Sequence, residues 1–292
     1  MLEWIGIIAA LGSAASWAFA TVVFDRLGKI IPAAGMTFFK GLFSLVLMVA
    51  LILATGGFDH VTLRDFLFLA LSGIIGIAIG DTLFFRSLQD LGAKVQVLYF
   101  MLGQVVTMLL SFLLLGEMLT ITEYIGATIL LIGIVVVTIG KQEDHPNKMR
   151  GILGGFASIL CFSLSSILVK VSIADVGVPT ATFWRMFFST VSVMFVGFTS
   201  QRLRTWATPL RQTKTLLLFL LNVVVITYGG FLLSMLAFKH ITVSLASILS
   251  ATEPVFVLLL AFLINHERTT RRELIGAVIT IAGLLIILSA NK

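Results

Sequence analysis

The sequence predicts an all-α integral membrane fold: ten transmembrane helices, arranged as two inverted five-helix repeats around a central cavity. Three observations carry this. Of 292 residues, 59% are hydrophobic and only 12% charged, too little polar surface to cover a fold in water. The apolar residues fall into runs of about 20, the length a helix needs to cross a hydrocarbon core of ~30 Å. Finally, residues 105–133 recur 150 positions later at 255–283, with 13 of 29 positions identical. Apolar composition accounts for the Leu and Val matches but not for Glu117/Glu267, Thr120/Thr270, Glu123/Glu273, Gly126/Gly276 or Gly133/Gly283. Five spans separate equivalent elements. Because that number is odd, each span crosses in the opposite sense to its counterpart, the arrangement used for alternating access.

The spans are expected near 4–24, 33–55, 66–86, 93–115 and 121–140 in a first repeat (1–140), and near 151–173, 179–200, 215–239, 243–264 and 273–290 in a second (151–292). The linker 141–150, with its charges and Pro146, reads as solvated. Spans 1 and 2 align with spans 6 and 7 at an offset of 145: Ser13 faces Ser158, Ser16 faces Cys161, and Thr37-Phe38-Phe39-Lys40 faces Thr182-Phe183-Trp184-Arg185. Gly12, Ser16 and Ala20 in span 1 and Gly73, Gly76 and Gly80 in span 3 form stripes that suit close packing, with sliding or unwinding during transport as the alternative. Spans 5 and 10 open on capping boxes, Thr120 to Glu123 and Thr270 to Glu273, whose hydroxyls and carboxylates satisfy free backbone N–H groups. Gly126, Gly133 and Gly140, matched by Gly276, Gly283 and Ala290, recur every seven residues and so share a face. That face predicts a seam between spans 5 and 10, or else a dimer contact.

The net charge of +6 is a topology signal and not evidence for nucleic acid. Connectors 1–2, 3–4, 5–6, 7–8 and 9–10 carry 14 Lys and Arg, whereas the other side, with both termini, carries four. The positive-inside rule then places both termini outside the cytoplasm, in a bacterial-type inner membrane. The N-terminus lacks a basic n-region, so span 1 is expected to be retained. The lone Cys161 excludes an internal disulfide. His60, His145, His240 and His266 have no ligand spacing, and no phosphate-binding loop is present. No cofactor, metal, nucleic-acid partner or enzymatic activity is therefore expected. The expected partners are a small-molecule substrate and the bilayer, with the monomer as the working unit and a dimer as the alternative.

The runs Leu114-Leu115-Gly116-Glu117-Met118-Leu119-Thr120 and Ile264-Asn265-His266-Glu267-Arg268-Thr269-Thr270, with Glu253-Pro254 ahead of the second, resemble the ten-helix, EamA-type members of the drug/metabolite transporter superfamily. The resemblance covers essentially the whole chain. It implies a transporter of small metabolites such as amino acids, with a central cavity framed mostly by helices other than 5 and 10. The first half departs from the pattern, with Gly103-Gln104 where the second has Glu253-Pro254.

Charges inside spans are costly, and here they are Lys40, Asp81, Arg185 and Glu253. At 1.5 Å per residue, Lys40 and Asp81 lie about 10 Å and about 8 Å from the cytoplasmic ends of spans 2 and 3. Arg185 and Glu253 lie about 9 Å and about 15 Å from the outer ends of spans 7 and 9. The expectation is that Lys40 contacts Asp81 and Arg185 contacts Glu253 on opposite sides of the cavity, each pair gating its own side. The alternative is that the bases snorkel and the acids cap backbone breaks, Pro254 marking one such break. Cavity candidates are the mid-span polar and aromatic residues Ser13, Ser16, Trp17, Tyr99, Gln104, Ser158, Trp184, Asn222, Tyr228, Ser247 and Ser250, a lining suited to an amphipathic solute. A secondary exporter is the first reading. A membrane enzyme or lipid-handling protein, or a non-transporting channel or scaffold, are the alternatives.

Overall fold

The computed structural model describes residues 2–138, 147–257, 260 and 271–290, and every regular element among them is helical. Among the described residues six helices are long and apolar enough to cross a bilayer: α1 (Leu2–Gly28), α2 (Ala33–Ala54), α3 (Leu63–Gly92), α6 (Lys148–Ser172), α7 (Val178–Thr199) and α8 (Thr213–His240). Four shorter apolar segments lie where the sequence places the remaining spans: Leu102–Leu115 within α4 (93–115), Ile121–Val136 within α5 (Ile121–Thr138), Val243–Val257 (α9) and Leu274–Ser289 within α10 (Arg271–Ala290).

The helix boundaries follow local chemistry. Helix α3 runs six residues past its expected end, to Gly92, whose φ of 75° and ψ of 167° turn the chain directly into α4. Only glycine adopts such a conformation without strain. The Thr120–Glu123 capping box forms as expected: the Glu123 carboxylate accepts from the Thr120 N–H at 2.7 Å, and the Thr120 hydroxyl accepts from the Glu123 N–H at 3.3 Å. The second box and Glu267 lie outside the described residues. Its first-half counterpart, Glu117, accepts from the backbone N–H groups of Val243 and Ser244 at 3.2 Å each. The acid at the end of α4 thus satisfies orphan donors at the start of α9 and complements the positive end of that helix.

Helices α1 and α8 run antiparallel, as do α6 and α3. At one end Phe24 meets Phe219, and at the other Gly6 lies against Ile241. In the second pair Gly151 lies against Leu91 and the Ser165 hydroxyl donates to Ser72 O at 2.8 Å. Both α3 and α8 carry a π-helical stretch in mid-span, Gly73–Asp81 and Val225–Leu232. These stretches receive small residues from the partner helix. Gly80 lies beside Cys161, and Gly229 beside Ser16; Cys161 and Ser16 correspond at the offset of 145, and the two glycines to within one position at 150. The small-residue stripes therefore serve close approach to a locally unwound helix.

Helix α5 packs along α10 through the predicted seam. A side chain at Gly126 would meet the Gly283 carbonyl and Ile287, and one at Gly133 would meet the backbone of Thr280 and Gly276. Gly140 lies outside the described residues. Gly133→Val should lower the thermal unfolding midpoint of the detergent-solubilised protein by an amount equivalent to at least about 1–3 kcal/mol, the range for overpacking. Thr128→Val on the exposed face of α5 should leave that midpoint unchanged.

Candidate functional site

A central cavity is lined by residues of α1, α3, α4, α6, α7, α8 and α9 and, among the described residues, by none from α5 or α10. Counted as space open to the centres of water molecules, its volume is ≈ 140 Å³. That is close to the ~150 Å³ of an engineered cavity that binds benzene, so it suits a small metabolite.

The wall has an ionic part, to which Asp81 and Arg185 contribute; Lys40, their neighbour on α2, does not line the cavity. Lys40, 0% exposed, forms an ion pair with Asp81, 1% exposed, at the C-terminal end of the α3 π-helical stretch. The Lys40 ammonium also lies 4.7 Å from the Phe231 ring centroid and 5.4 Å from that of Phe85, so aromatic faces replace part of its hydration. Gly73 bears on the backbone of Arg185, and Gly76 lies beside Ser165. With no side chains in the way, the Arg185 guanidinium reaches across to Ser72 Oγ at 3.0 Å, Ser165 Oγ at 3.1 Å and Met235 Sδ at 3.2 Å. There it is within electrostatic reach of both Lys40 and Asp81.

This corrects one expectation. Lys40 does pair with Asp81, but Arg185 does not contact Glu253. Arg185 joins the Lys40–Asp81 cluster because the two α3 glycines open that side, and Glu253 turns to α1, where Oε1 accepts from the Thr21 hydroxyl at 3.2 Å. The four charges therefore do not form two opposed pairs at the two ends of the cavity.

Pro254 does mark a break. Helix α9 is interrupted by a turn at residues 251–252 and resumes at Glu253-Pro254, where proline's missing N–H costs nothing in a first helical turn. Thr252 O accepts from the Val255 N–H at 2.9 Å, and the Thr252 hydroxyl donates back to Leu249 O at 2.7 Å. The first-half counterpart, Gly103-Gln104, lies in uninterrupted helix.

Of the other candidates, Trp17, Gln104, Ser158, Ser247 and Ser250 line the cavity, together with Asp81, Arg185 and Glu253. Five do not. Ser13 bonds to Gly230 O and Ser234 Oγ, Ser16 to Gly12 O, Asn222 to Ala20 O and Tyr228 to Leu47 O; these polar groups tie α1 and α2 to α8 or close on their own helix. Trp184 lies about 100° round α7 from Arg185 and packs among Phe66, Phe183, Phe187 and Phe188. The side chain of Tyr99 lies outside the described residues. Sequence reasoning missed Gln96, Thr107, Ser163, Ser165 and Ser166, all on the wall. The cluster Ser163-Leu164-Ser165-Ser166 within an apolar span was the available signal. Gln96 falls near the expected start of span 4, where an interfacial side chain would be assumed, yet it is 2% exposed.

Two apolar clusters cap the cavity at opposite ends, and they occupy equivalent positions of the repeat. One contains Phe24, Ile31, Ala33, Met36 and Phe85; the other contains Val169, Val176, Val178, Ala181 and Met235. The first four of each correspond at the offset of 145 and the last at 150. At the end rich in basic connectors the side chains are larger, with Phe24 and Phe85 ring centroids 4.7 Å apart and Phe24 and Phe219 6.4 Å apart.

The EamA-like transporter family model matches residues 4–139 and again 149–289. A solved structure described only as a crystal structure of a protein is similar over 100% of this chain and 99% of its own, with a TM-score of 0.74 at 19% identity, which bears on the fold alone. No curated protein matches the sequence.

Removing one partner of the buried ion pair leaves an uncompensated charge, so Lys40→Met alone should destabilise the purified protein by about 3–5 kcal/mol. Lys40→Met combined with Asp81→Leu should recover most of that loss, as read by unfolding in detergent.

Proposed function

Because the chain belongs to the EamA-like transporter family, within the drug/metabolite transporter superfamily, we propose that it is a secondary transporter. In this reading it exports small amphipathic metabolites, amino acids including aromatic ones among them, by alternating access through the central cavity. The observation that carries the proposal is the pair of equivalent apolar clusters at the two ends of one cavity of mixed polar and aromatic lining. A transporter needs two gates that exchange roles. An inverted repeat supplies them from one packing solution used twice, whereas an enzyme pocket has no use for the second.

The protein acts as a monomer in a bacterial-type inner membrane. Its two units, 1–140 and 151–292, are joined by 141–150, the four shorter apolar segments complete ten spans, and both termini face away from the cytoplasm. The larger Phe24–Phe85 cluster then closes the cytoplasmic end, and the mainly apolar and aromatic wall with its polar insertions, Trp17 and Phe231 5.2 Å apart among its rings, receives the solute.

Purified protein in liposomes, tested against amino acids, sugars and nucleotides, should give saturable uptake of amino acids that related amino acids compete for. Uptake confined to phosphorylated compounds, or a flux that does not saturate, would contradict the proposal. The gate itself is tested by Phe85→Ala in a Cys161→Ser background with a reporter cysteine at position 88. If the lost contact is worth ~1–2 kcal/mol, the open and closed populations shift about five- to thirtyfold, and labelling from the basic end should accelerate. Unchanged labelling would remove Phe85 from the gate.

A further inference from the structure

The two repeats differ in length at the connector that follows their second helix. Between α2 and α3 the chain has eight residues, 55–62, and between the equivalent α7 and α8 it has thirteen, 200–212. The five extra residues account for the growth of the offset, which is 145 across α2 and α7 and 150 at the starts of α3 and α8. Eight residues suffice to turn the chain, so the insertion serves another end. It is folded, with Leu203–Ala207 helical and Thr208–Arg211 a 3₁₀ turn. Trp206, 4% exposed, lies against Gly35 of α2 and Gly197 of α7, and Leu210 is buried in one cluster with Ala33 and Phe219. With these side chains turned inward, the connector presents Arg202, Arg204 and Arg211 outward, and exposed Lys214 follows in the first turn of α8. None of the four enters an ion pair among the described residues. Between Asp175 and Glu253 the sequence holds no acid; Asp175 belongs to the α6–α7 turn at the opposite end, and Glu253 to the cavity wall.

We propose that the α7–α8 connector is a docking site for anionic phospholipid, its phosphate received by Arg202, Arg204, Arg211 and Lys214. A guanidinium offers parallel N–H donors to phosphate oxygens, and bases just beyond a span are drawn to anionic headgroups. Four like charges on one short, rigidly seated connector, with no acid to neutralise them, call for an anion from outside the chain. That anion is a lipid because the demand comes in two adjoining layers. The connector joins the ends of two spans, and below it Phe195 and Phe198 on α7 and Leu217 and Leu221 on α8 are exposed, a surface for acyl chains that a free phosphate would leave unused. Through Trp206 the bound headgroup bears on the packing of α2 against α7, the helices that carry Lys40 and Arg185.

The test uses the full chain in detergent, titrated with phosphatidylglycerol and with phosphatidylcholine of the same acyl chains, and followed by native mass spectrometry at low and high ammonium acetate. Phosphatidylglycerol should bind at least about tenfold more tightly, and the preference should shrink as salt rises. Arg204→Gln with Arg211→Gln should weaken phosphatidylglycerol at least about fivefold and leave phosphatidylcholine unchanged. Arg86→Gln with Lys148→Gln removes two exposed bases from α3 and α6 at the same end of the molecule and should change phosphatidylglycerol binding less than about twofold. Equal affinity for the two lipids overturns the site. Equal weakening by the two double variants does so too, showing a diffuse surface charge in its place. Glycerol 1-phosphate displacing phosphatidylglycerol at comparable concentration overturns it in favour of a free-phosphate site. All four substituted side chains are exposed, so the fold is kept; if the unfolding midpoint of the Arg204 and Arg211 variant falls, the wild-type ranking and its salt dependence decide.

Discussion

A polar group placed in hydrocarbon must find its partner within the protein, and the hardest case here is the buried ion pair of Lys40 and Asp81. The surrounding architecture accommodates it. Asp81 ends the π-helical stretch of α3, Thr82 beside it bonds to Thr37 on α2 at 3.1 Å, and the rings of Phe85 and Phe231 lie against the ammonium. Arg185 enters the same cluster only because Gly73 and Gly76 carry no side chains. A larger residue at either glycine would push α7 or α6 away and separate the charge that the cluster needs. Pairing, local unwinding and small residues are thus one constraint expressed three times.

The inverted repeat multiplies such solutions. Lys239 donates to Val176 O at 3.3 Å where Gln89 donates to Ile31 O at 3.0 Å, equivalent bonds that tie the end of α8 to the α6–α7 turn and the end of α3 to the α1–α2 turn. What differs between the halves is the size of the apolar side chains at equivalent sites: Phe24 against Val169, Met36 against Ala181, Phe85 against Met235. Two ends built alike but filled unequally have unequal stabilities, and a solute that favours one arrangement can tip the balance only through its differential affinity. Modest asymmetry of packing, on a symmetric frame, suffices for a resting state that faces one side.

Much of this was legible in the sequence. The family and the all-helical repeat followed from Glu117, Thr120, Glu123, Gly126 and Gly133 and their second copies, because capping boxes and glycine seams are local or nearly local devices with fixed spacing. The Lys40–Asp81 contact followed from shared depth. The partner of Arg185 did not, since depth along a helix says nothing of azimuth, and the guanidinium is long enough to cross to another helix. Nor did the engagement of Ser13, Asn222 and Tyr228: a polar residue in mid-span has the same appearance whether it faces a cavity or binds a neighbouring carbonyl. Glu253 could be seen as a buried acid beside Pro254. Its unpartnered oxygen became visible only once Thr21 was found to occupy the other.

The central claim, that the two ends of the cavity open in turn, is tested most directly by pulsed electron resonance distances in lipid nanodiscs. One spin-label pair would bridge α1 and α3 at the basic end, and a second would bridge α6 and α8 at the opposite end. The account predicts two distance populations for each pair, with reciprocal shifts when transported solute is added, so that one end widens as the other narrows. Distances that stay fixed at both ends while solute crosses the membrane would contradict it.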